Sequence, residues 1–464
     1  MKYNLQPSIA SSIVLLLSSL LLSASAGSSK SKKSKVSARI CKNETISGGT
    51  IDSDLIISEY SSCVLTNTDV FGSIEMSDYS NVQVLNNGVV SGDIVVDDVV
   101  GVKQIFIGYG PNVGGVTVEK STVQEIYISE ATVTGNVVSK DSVFSNAIQM
   151  FDGTVNGDVT FKDSDIPYLL FSGDQNLIKG DLTFDKVKLD EGNRFFLGYA
   201  EIEGDMTIKD TDMQEFAAVQ THILGDLTIE KNTDITEGGI SLSEIQVDGD
   251  FTINNSDISK FEMSKGHVAE DLKIEGLIAD SLLISEESSI GLDLIIKRNS
   301  LIRGDVELSD STIGGRLKVK DVTIEGNFES NLLVEGSVLE VEDCIFEGDL
   351  LLNAIDVPNG DIDIIDNKFP NGELLLIANS ANNVMVYGNR ITQGDLEMAI
   401  STVNEDMIVE KNSVDDGHLV IDSTTVSDTL KVQRNKVAED IVLDDTSANE
   451  VITKDNEAND IVNI

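Results

Sequence analysis

The 464-residue sequence has no tryptophan, 5 prolines, 3 histidines, 3 cysteines and 5% aromatic residues, and each shortage excludes something. Sugar-cleaving clefts are built on aromatic platforms, which a chain without Trp and with 8 Tyr supplies poorly. His222, His267 and His418 are scattered, with no metal-ligand partner at the usual spacing. Cys344 has no histidine near it in sequence, so no Ser-His-Asp or Cys-His constellation can be nominated. No phosphate-cradling loop with its lysine is present. Basic residues are also scarce: 33 Lys and Arg stand against 79 Asp and Glu, a formal charge of −46. Such a surface repels nucleic acid and anionic membranes, and it favours cations, basic partners and solubility. No helical 3.6-residue pattern persists anywhere.

What is present begins with a secretory-type leader. Lys2 supplies the charged start, Ile13 to Leu22 a short apolar stretch broken by serines, and Ala24-Ser25-Ala26 a cleavage site. Residues 1–26 therefore read as a signal peptide, and the protein is expected outside the cell with no transmembrane segment after its removal. Residues 27–43 form a basic Lys/Ser-rich stretch (Lys30, Lys32, Lys33, Lys35, Arg39, Lys42), expected to be disordered at its start. Residues 44–464 read as a single acidic domain. Asn43 and Asn254 open glycosylation sequons, meaningful in a eukaryotic host.

One phrase recurs along that domain. Gly157-Asp158-Val159-Thr160-Phe161 is followed by Gly-Asp-containing copies at Gly180, Gly204, Gly225 and Gly249, spaced 23, 24, 21 and 24 residues apart. Later the spacing halves: Gly304, Gly315 and Gly326 are 11 apart, and Gly348, Gly360 and Gly372 are 12 apart. Gly followed by Asp is turn chemistry, because Gly accepts positive φ and Asp bonds nearby backbone. The Leu-x-Ile that follows has period two, so two apolar side chains face one way and the residue between them faces water. Six residues after the Asp slot comes a second polar position, held by Asn232, Asn299, Asn367, Asn379, Asn412 or Asn435, with Ser164, Thr211, Ser256 and Ser311 equivalent. Stacked inward, these form the side-chain ladder of a parallel β-helix. A unit this short cannot bury its own apolar face, but stacked coils can. The fold expected is all-β: a parallel β-solenoid (right-handed β-helix) of about 22–24 residues per coil, two units to a coil. Roughly 18 coils at ~4.8 Å would make a rod on the order of 85 Å.

The Gly-Asp-Leu-x-Ile phrase resembles right-handed β-helix repeats in general and the coils of receptor-L-type extracellular domains in particular, a resemblance that implies architecture and not activity. Cys41 and Cys63 are 22 residues apart, about one coil, so they are expected to lie above each other and form a disulfide at the N-terminal end. Cys344 reads as a small buried hydrophobe.

Several chemistries remain open. Polygalacturonase-like enzymes on this fold gather carboxylates in N-T-D and D-D motifs. Asn67-Thr68-Asp69 and Asn232-Thr233-Asp234 match the first, and Asp97-Asp98 and Asp415-Asp416 the second. Gly417-His418-Leu419 breaks the third motif, G-H-G, and no R-I-K exists. The repeat aspartates Asp158, Asp181, Asp205, Asp226 and Asp250 form a second candidate. Stacked at ~4.8 Å in water, neighbours repel by roughly 0.9 kcal/mol each. Turn N–H groups or cations must offset that, and the cation reading is a weak calcium array of hard oxygen ligands. The third candidate is an outward Thr column, Thr117, Thr160, Thr183, Thr207, Thr228 and Thr252, ending at Lys273, which an ice- or glycan-binding adhesin would present and ordinary β-propensity also explains. The leading expectation is a non-enzymatic wall, matrix or surface protein that binds cations or basic partners, with no cofactor unless calcium. A polysaccharide lyase or hydrolase is the alternative, marked by three carboxylates from adjacent coils in one groove.

Overall fold

The computed structural model describes residues 37–463 apart from 190–193, 232 and 400. The signal-like segment, most of the basic stretch and Asn232 lie outside the described residues. From Ala38 onward the chain forms one compact unit, a parallel β-solenoid of about 19 turns with 61% of residues in strands. The first strand, Arg39–Cys41, pairs with Leu55–Ile57, so the solenoid takes in the end of the basic 27–43 stretch.

One coil shows how the sequence makes the shape. Leu227–Glu230 lies on a first sheet, Asp234–Ser243 on a second and Gln246–Val247 on a third, before Phe251–Asn254 returns to the first. Every step stacks in parallel on the next coil: Leu227 on Phe251, Ile235 on Ile258, Gln246 on His267. Leu227, Ile229, Ile235, Ile240 and Val247 are all fully buried, as their alternation requires. Burial of each such side chain contributes about 1.5–3 kcal/mol, and stacking repeats that burial along one continuous core. Phenylalanines stack up the interior, with Phe195 and Phe216 rings 5.2 Å apart and Phe346 and Phe369 rings 5.1 Å apart.

The coil changes shape near residue 304. Before it, the second sheet carries strands of up to 10 residues that bend at register shifts, as at Met213/Glu215 and Ile235/Ile240. Ile278–Ser285 is the last long strand of this kind. It pairs with two successors, Leu301–Ile302 and Val306–Leu308, because Gly304-Asp305 turns the chain between them. From there each coil has four sides, as in Val384–Tyr387, Arg390–Ile391, Leu396–Ala399 and Thr402–Val403. The halved glycine spacing is therefore a second Gly-Asp corner. The reading of two units per coil holds in this half, whereas earlier coils carry one Gly-Asp turn each.

The corner between the first and second sheets is held by an inward ladder. Asn367, Asn389, Asn412 and Asn435 are buried. Each Oδ1 accepts the backbone N–H one coil earlier, at 2.9 Å from Cys344 and 3.0 Å from Asn367 and Asn389. Each Nδ2 donates to a carbonyl, Val386 O for Asn412 at 2.8 Å. Earlier coils fill the slot with Ser121, Ser142, Ser164, Thr211, Thr233, Ser256 and Ser300, and in two coils with Val187 and Leu277, all buried. Asn379 and Ser311 are buried in a second column, at the corner between the second and third sheets, where Asn379 Oδ1 accepts Ile355 N. Asn299 does not occupy the ladder. It is exposed with φ 57°, beside Arg298 at φ 63°, and Ser300 turns inward instead. The corner there holds one extra residue, and Asn tolerates the left-handed conformation it needs.

The disulfide joins Cys41 and Cys63, with Cα atoms 6.3 Å apart and both residues buried. Its geometry differs from the expected one-coil stack. Cys41 is in register with Ile57 and Cys63 with Glu44, because the first coils are short, Thr50 pairing with Asp69. The bond therefore ties the first sheet to the second across the core. Cys344 is buried in the ladder slot, its thiol donating to Glu342 O at 3.2 Å, and burial pushes that thiol up to about 12.

Candidate functional site

The repeat aspartates form a single column at the turn entering the first sheet. Asp158 Oδ1 accepts the N–H of Asp181 at 3.1 Å, Asp181 that of Asp205 at 3.0 Å, Asp205 that of Asp226 at 2.9 Å and Asp226 that of Asp250 at 2.9 Å. Asn136 precedes them with the same bond to Asp158, and Asp271 and Asp293 extend them. Sequence reading missed these three because none is written as a Gly-Asp pair: the phrases there are Gly135-Asn136, Glu270-Asp271 and Leu292-Asp293. Each preceding glycine lets the coils close up, since a Cβ on Gly204 would sit 2.3 Å from Asp181 Oδ1. The backbone thus engages one oxygen of every carboxylate.

The second oxygens divide the column. Lys273 Nζ reaches Asp250 at 2.7 Å and Asp271 at 2.9 Å, and Arg316 binds Asp293 through Nε and Nη2 at 3.0 and 2.6 Å. The Asp250 hydrogen bond, followed by that of Asp271, raises the Lys273 pKa. Arg316 holds the Asp293 carboxyl below its ordinary value although burial opposes it. Among the described residues, Asp158, Asp181, Asp205 and Asp226 have no ion-pair partner, so four successive carboxylates keep one oxygen each toward solvent. The described residues contain no ready-made cluster of three metal-ligating side chains.

The Thr column runs beside them. Thr160, Thr183, Thr207, Thr228 and Thr252 stack on five successive coils and end at Lys273, while Val138 separates Thr117 from the rest. It is one residue wide. Its outer neighbour is a charged column in which Lys162 binds Asp185 at 2.8 Å.

The polygalacturonase-like motifs resolve into corners. Asn67 adopts φ 48°, Thr68 turns inward to donate to Ile46 O at 3.0 Å, and Asp69 faces out. Thr233 is inward in the same manner. Asp98 is a corner residue at φ 53°, and Asp415 pairs with Arg390 at 2.9 Å. Gly417-His418-Leu419 is a Gly-Asp-Leu turn with His in the Asp slot: its N–H donates to Asp395 Oδ1 at 2.6 Å, and its Nε2 lies 2.6 Å from Glu439 Oε2.

Two groupings were not visible as motifs. Asp212, Asp234 and Asp257 stack in register on adjacent coils. Asp212 and Asp234, with Lys188, line a concavity of about 530 Å³ where the long strands bend. Burial, then Asp257 and Asp212, raises the Asp234 pKa, and its Oδ1 is buried without a hydrogen-bond partner. His222 and His267 also share a column, separated by Gln246, with His222 Nε2 3.0 Å from Asp248 Oδ2 and His267 Nδ1 2.7 Å from Ser289 Oγ. Their separation of 45 residues hid a two-coil spacing.

Both sequons are on the outside. Asn43 is exposed, and its Oδ1 accepts Ser62 N at 2.8 Å; Asn254 is half-buried on the outer side of its strand. No helix among the described residues is long and apolar enough to cross a membrane.

Residues 306–461 match the family described as a right handed beta helix region. No curated protein matches the chain. Together with the coil geometry, the match makes this a right-handed parallel β-helix repeat protein.

Proposed function

We propose that this β-helix protein works outside the cell as a rigid acidic rod, a wall, matrix or surface component that takes up calcium or similar hard cations along its aspartate column. The observation that carries the reading is the divided column. From Asp250 to Asp293 the chain supplies its own cations, Lys273 and Arg316. From Asp158 to Asp226 the described residues supply none within 4 Å, although the carboxylates stack coil on coil in the same way. A divalent ion between neighbouring second oxygens would do there what Lys273 does between Asp250 and Asp271. The secretory-type first 26 residues support the compartment, and the net charge of −46 supports basic partners for the remaining surface. Calorimetric titration with calcium tests it. The full-length protein should take up several ions weakly, and Asp181→Asn with Asp205→Asn should remove most of that uptake. Unchanged uptake in the double variant would place the ions elsewhere.

A polysaccharide-cleaving enzyme is the second reading, favoured by Asp212, Asp234 and Asp257 on adjacent coils. A raised carboxyl at Asp234 between two others suits a general acid. Release of reducing ends from a polysaccharide panel, abolished by Asp234→Asn, would establish it.

A further inference from the structure

The outer face of the second sheet carries aromatic side chains that neither reading uses. Phe106 and Tyr127 occupy one outward column, continued in register by Gln149, Leu170 and Phe196. The Phe106 and Tyr127 rings are offset-stacked, 5.0 Å apart and 5° from parallel. Phe151 adds a ring 5.4 Å from Tyr127. The sequence writes the same phrase at both ends of the stripe, Phe106-Ile107-Gly108-Tyr109 and Phe196-Leu197-Gly198-Tyr199. In each the glycine makes room for the ring: a Cβ on Gly108 or Gly198 would sit 2.6 Å from the Phe ring beside it. In each the tyrosine stands at the corner with positive φ, 69° and 52°, and is about half exposed, 55% and 49%. The two phrases are four coils apart, roughly 19 Å at ~4.8 Å per coil.

Gln83 heads the aromatic column one coil before Phe106, and the neighbouring column borders it with an amide and a carboxylate, Gln83 reaching Gln104 at 3.4 Å and Gln104 reaching Glu125 at 3.5 Å. Beside Tyr199 lies a concavity of about 430 Å³ that Gln175, Gln220 and His222 also line. Ring platforms repeating along a straight axis, bordered by donors and acceptors for hydroxyl groups, fit a linear polymer of amphipathic rings. The rod's charge selects among such polymers, because a chain at −46 repels polyanions.

We infer that the stripe from Phe106 to Tyr199 is a docking face for a neutral polysaccharide chain lying along the rod. The inference is independent of calcium uptake, and chelator separates the two. Affinity gel electrophoresis and calorimetry of the full-length protein in chelator, with mixed-linkage β-glucan, xyloglucan and galactomannan as probes and polygalacturonate as the anionic comparator, test it. At least one neutral polymer should retard the protein. Tyr109→Asn with Tyr199→Asn, exposed positions whose conformation Asn tolerates, should weaken that binding at least tenfold without moving the melting temperature. Tyr127→Ser with Phe196→Ser should abolish it in protein shown by circular dichroism to be folded, and Asp181→Asn with Asp205→Asn should leave it intact. Binding of no neutral polymer, binding that survives both aromatic variants, or binding of polygalacturonate or of a second copy alone would overturn the inference.

Discussion

The coils before residue 304 and those from Asn367 onward solve the same corner with different chemistry, with Val322 and Cys344 in the slot between them. The later coils repeat one solution: an asparagine, engaging a backbone N–H, a carbonyl and the next asparagine, stands in the slot from Asn367 to Asn456. The earlier coils use serine and threonine, interrupted by Val187 and Leu277, and their hydroxyls make fewer and longer bonds, Ser121 N to Ser142 Oγ being 3.3 Å. Regularity and the candidate sites separate along the same line. The family match, at residues 306–461, falls on the regular half. The run Asp158 to Asp226, the Asp212–Asp257 column and the aromatic stripe lie in the irregular half, where bent eight- to ten-residue strands open concavities, while the regular half has its own Gly-Asp corner of Asp305, Asp349 and Asp395, each likewise engaged by a backbone N–H. A repeat holding only what stacking needs is easy to recognise. One that has taken on bends has given up stacking regularity for surface chemistry.

The sharpest way to break this comparison is to cut each ladder in its middle. Asn412→Ala leaves Asn389 N and Val386 O without partners in a dry corner and is expected to cost about 3 kcal/mol. Ser142→Ala is expected to cost about 1–2 kcal/mol, and denaturant unfolding of the two variants checks the order. Next in size is the N-terminal staple. Cys41→Ser with Cys63→Ser is expected to cost about 2–3 kcal/mol, and because coils contact only their neighbours, limited proteolysis should show the loss at the first coils. Within the aspartate column, Asp205→Ala is expected to cost about 1 kcal/mol, whereas Asp205→Asn should be near neutral, since Asn136 already fills that slot. Thermal melts in chelator separate the two.

The smallest effect is a pH dependence in the regular half. Burial, then Asp361 and Glu340, pushes Asp363 up to about 6 from an ordinary 3.8. The native state therefore holds that proton more tightly than the unfolded chain. The stability this gives is complete below about pH 4 and is lost as pH rises through 6. Asp363→Asn should be more stable than the parent at pH 7.5 by about 1 kcal/mol, after discounting for partial exposure, and equal to it at pH 4.

Much of this was legible in the sequence. Gly-Asp turns, alternating Leu-x-Ile and the inward Asn, Ser and Thr positions are local signals, and they specified the coil, the Asp column and most of the ladder. Features that arise between coils were not legible. His222 and His267 look scattered until the register sets them two coils apart. Asp212 and Asp257 belong to no motif, and only stacking places Asp234 between them. Cys41 and Cys63 were paired on an average coil length, but the first coils are shorter, so the bond crosses sheets instead of climbing one. Asn299 missed the ladder because one extra residue at Arg298 shifts the slot to Ser300. The aromatic stripe was hidden by composition: a chain with 5% aromatics has few platforms on average, yet the fold collects several on one face.

The most direct test of the rod as a cation carrier is its melting temperature during calcium titration at fixed ionic strength, with sodium chloride as the matched control. The aspartate column predicts a melting temperature that climbs with calcium and not with added sodium chloride, and a climb that Asp181→Asn with Asp205→Asn removes. A melting temperature indifferent to calcium, or one that follows ionic strength alone, would contradict it and leave the carboxylates as turn-formers whose charge serves only solvation.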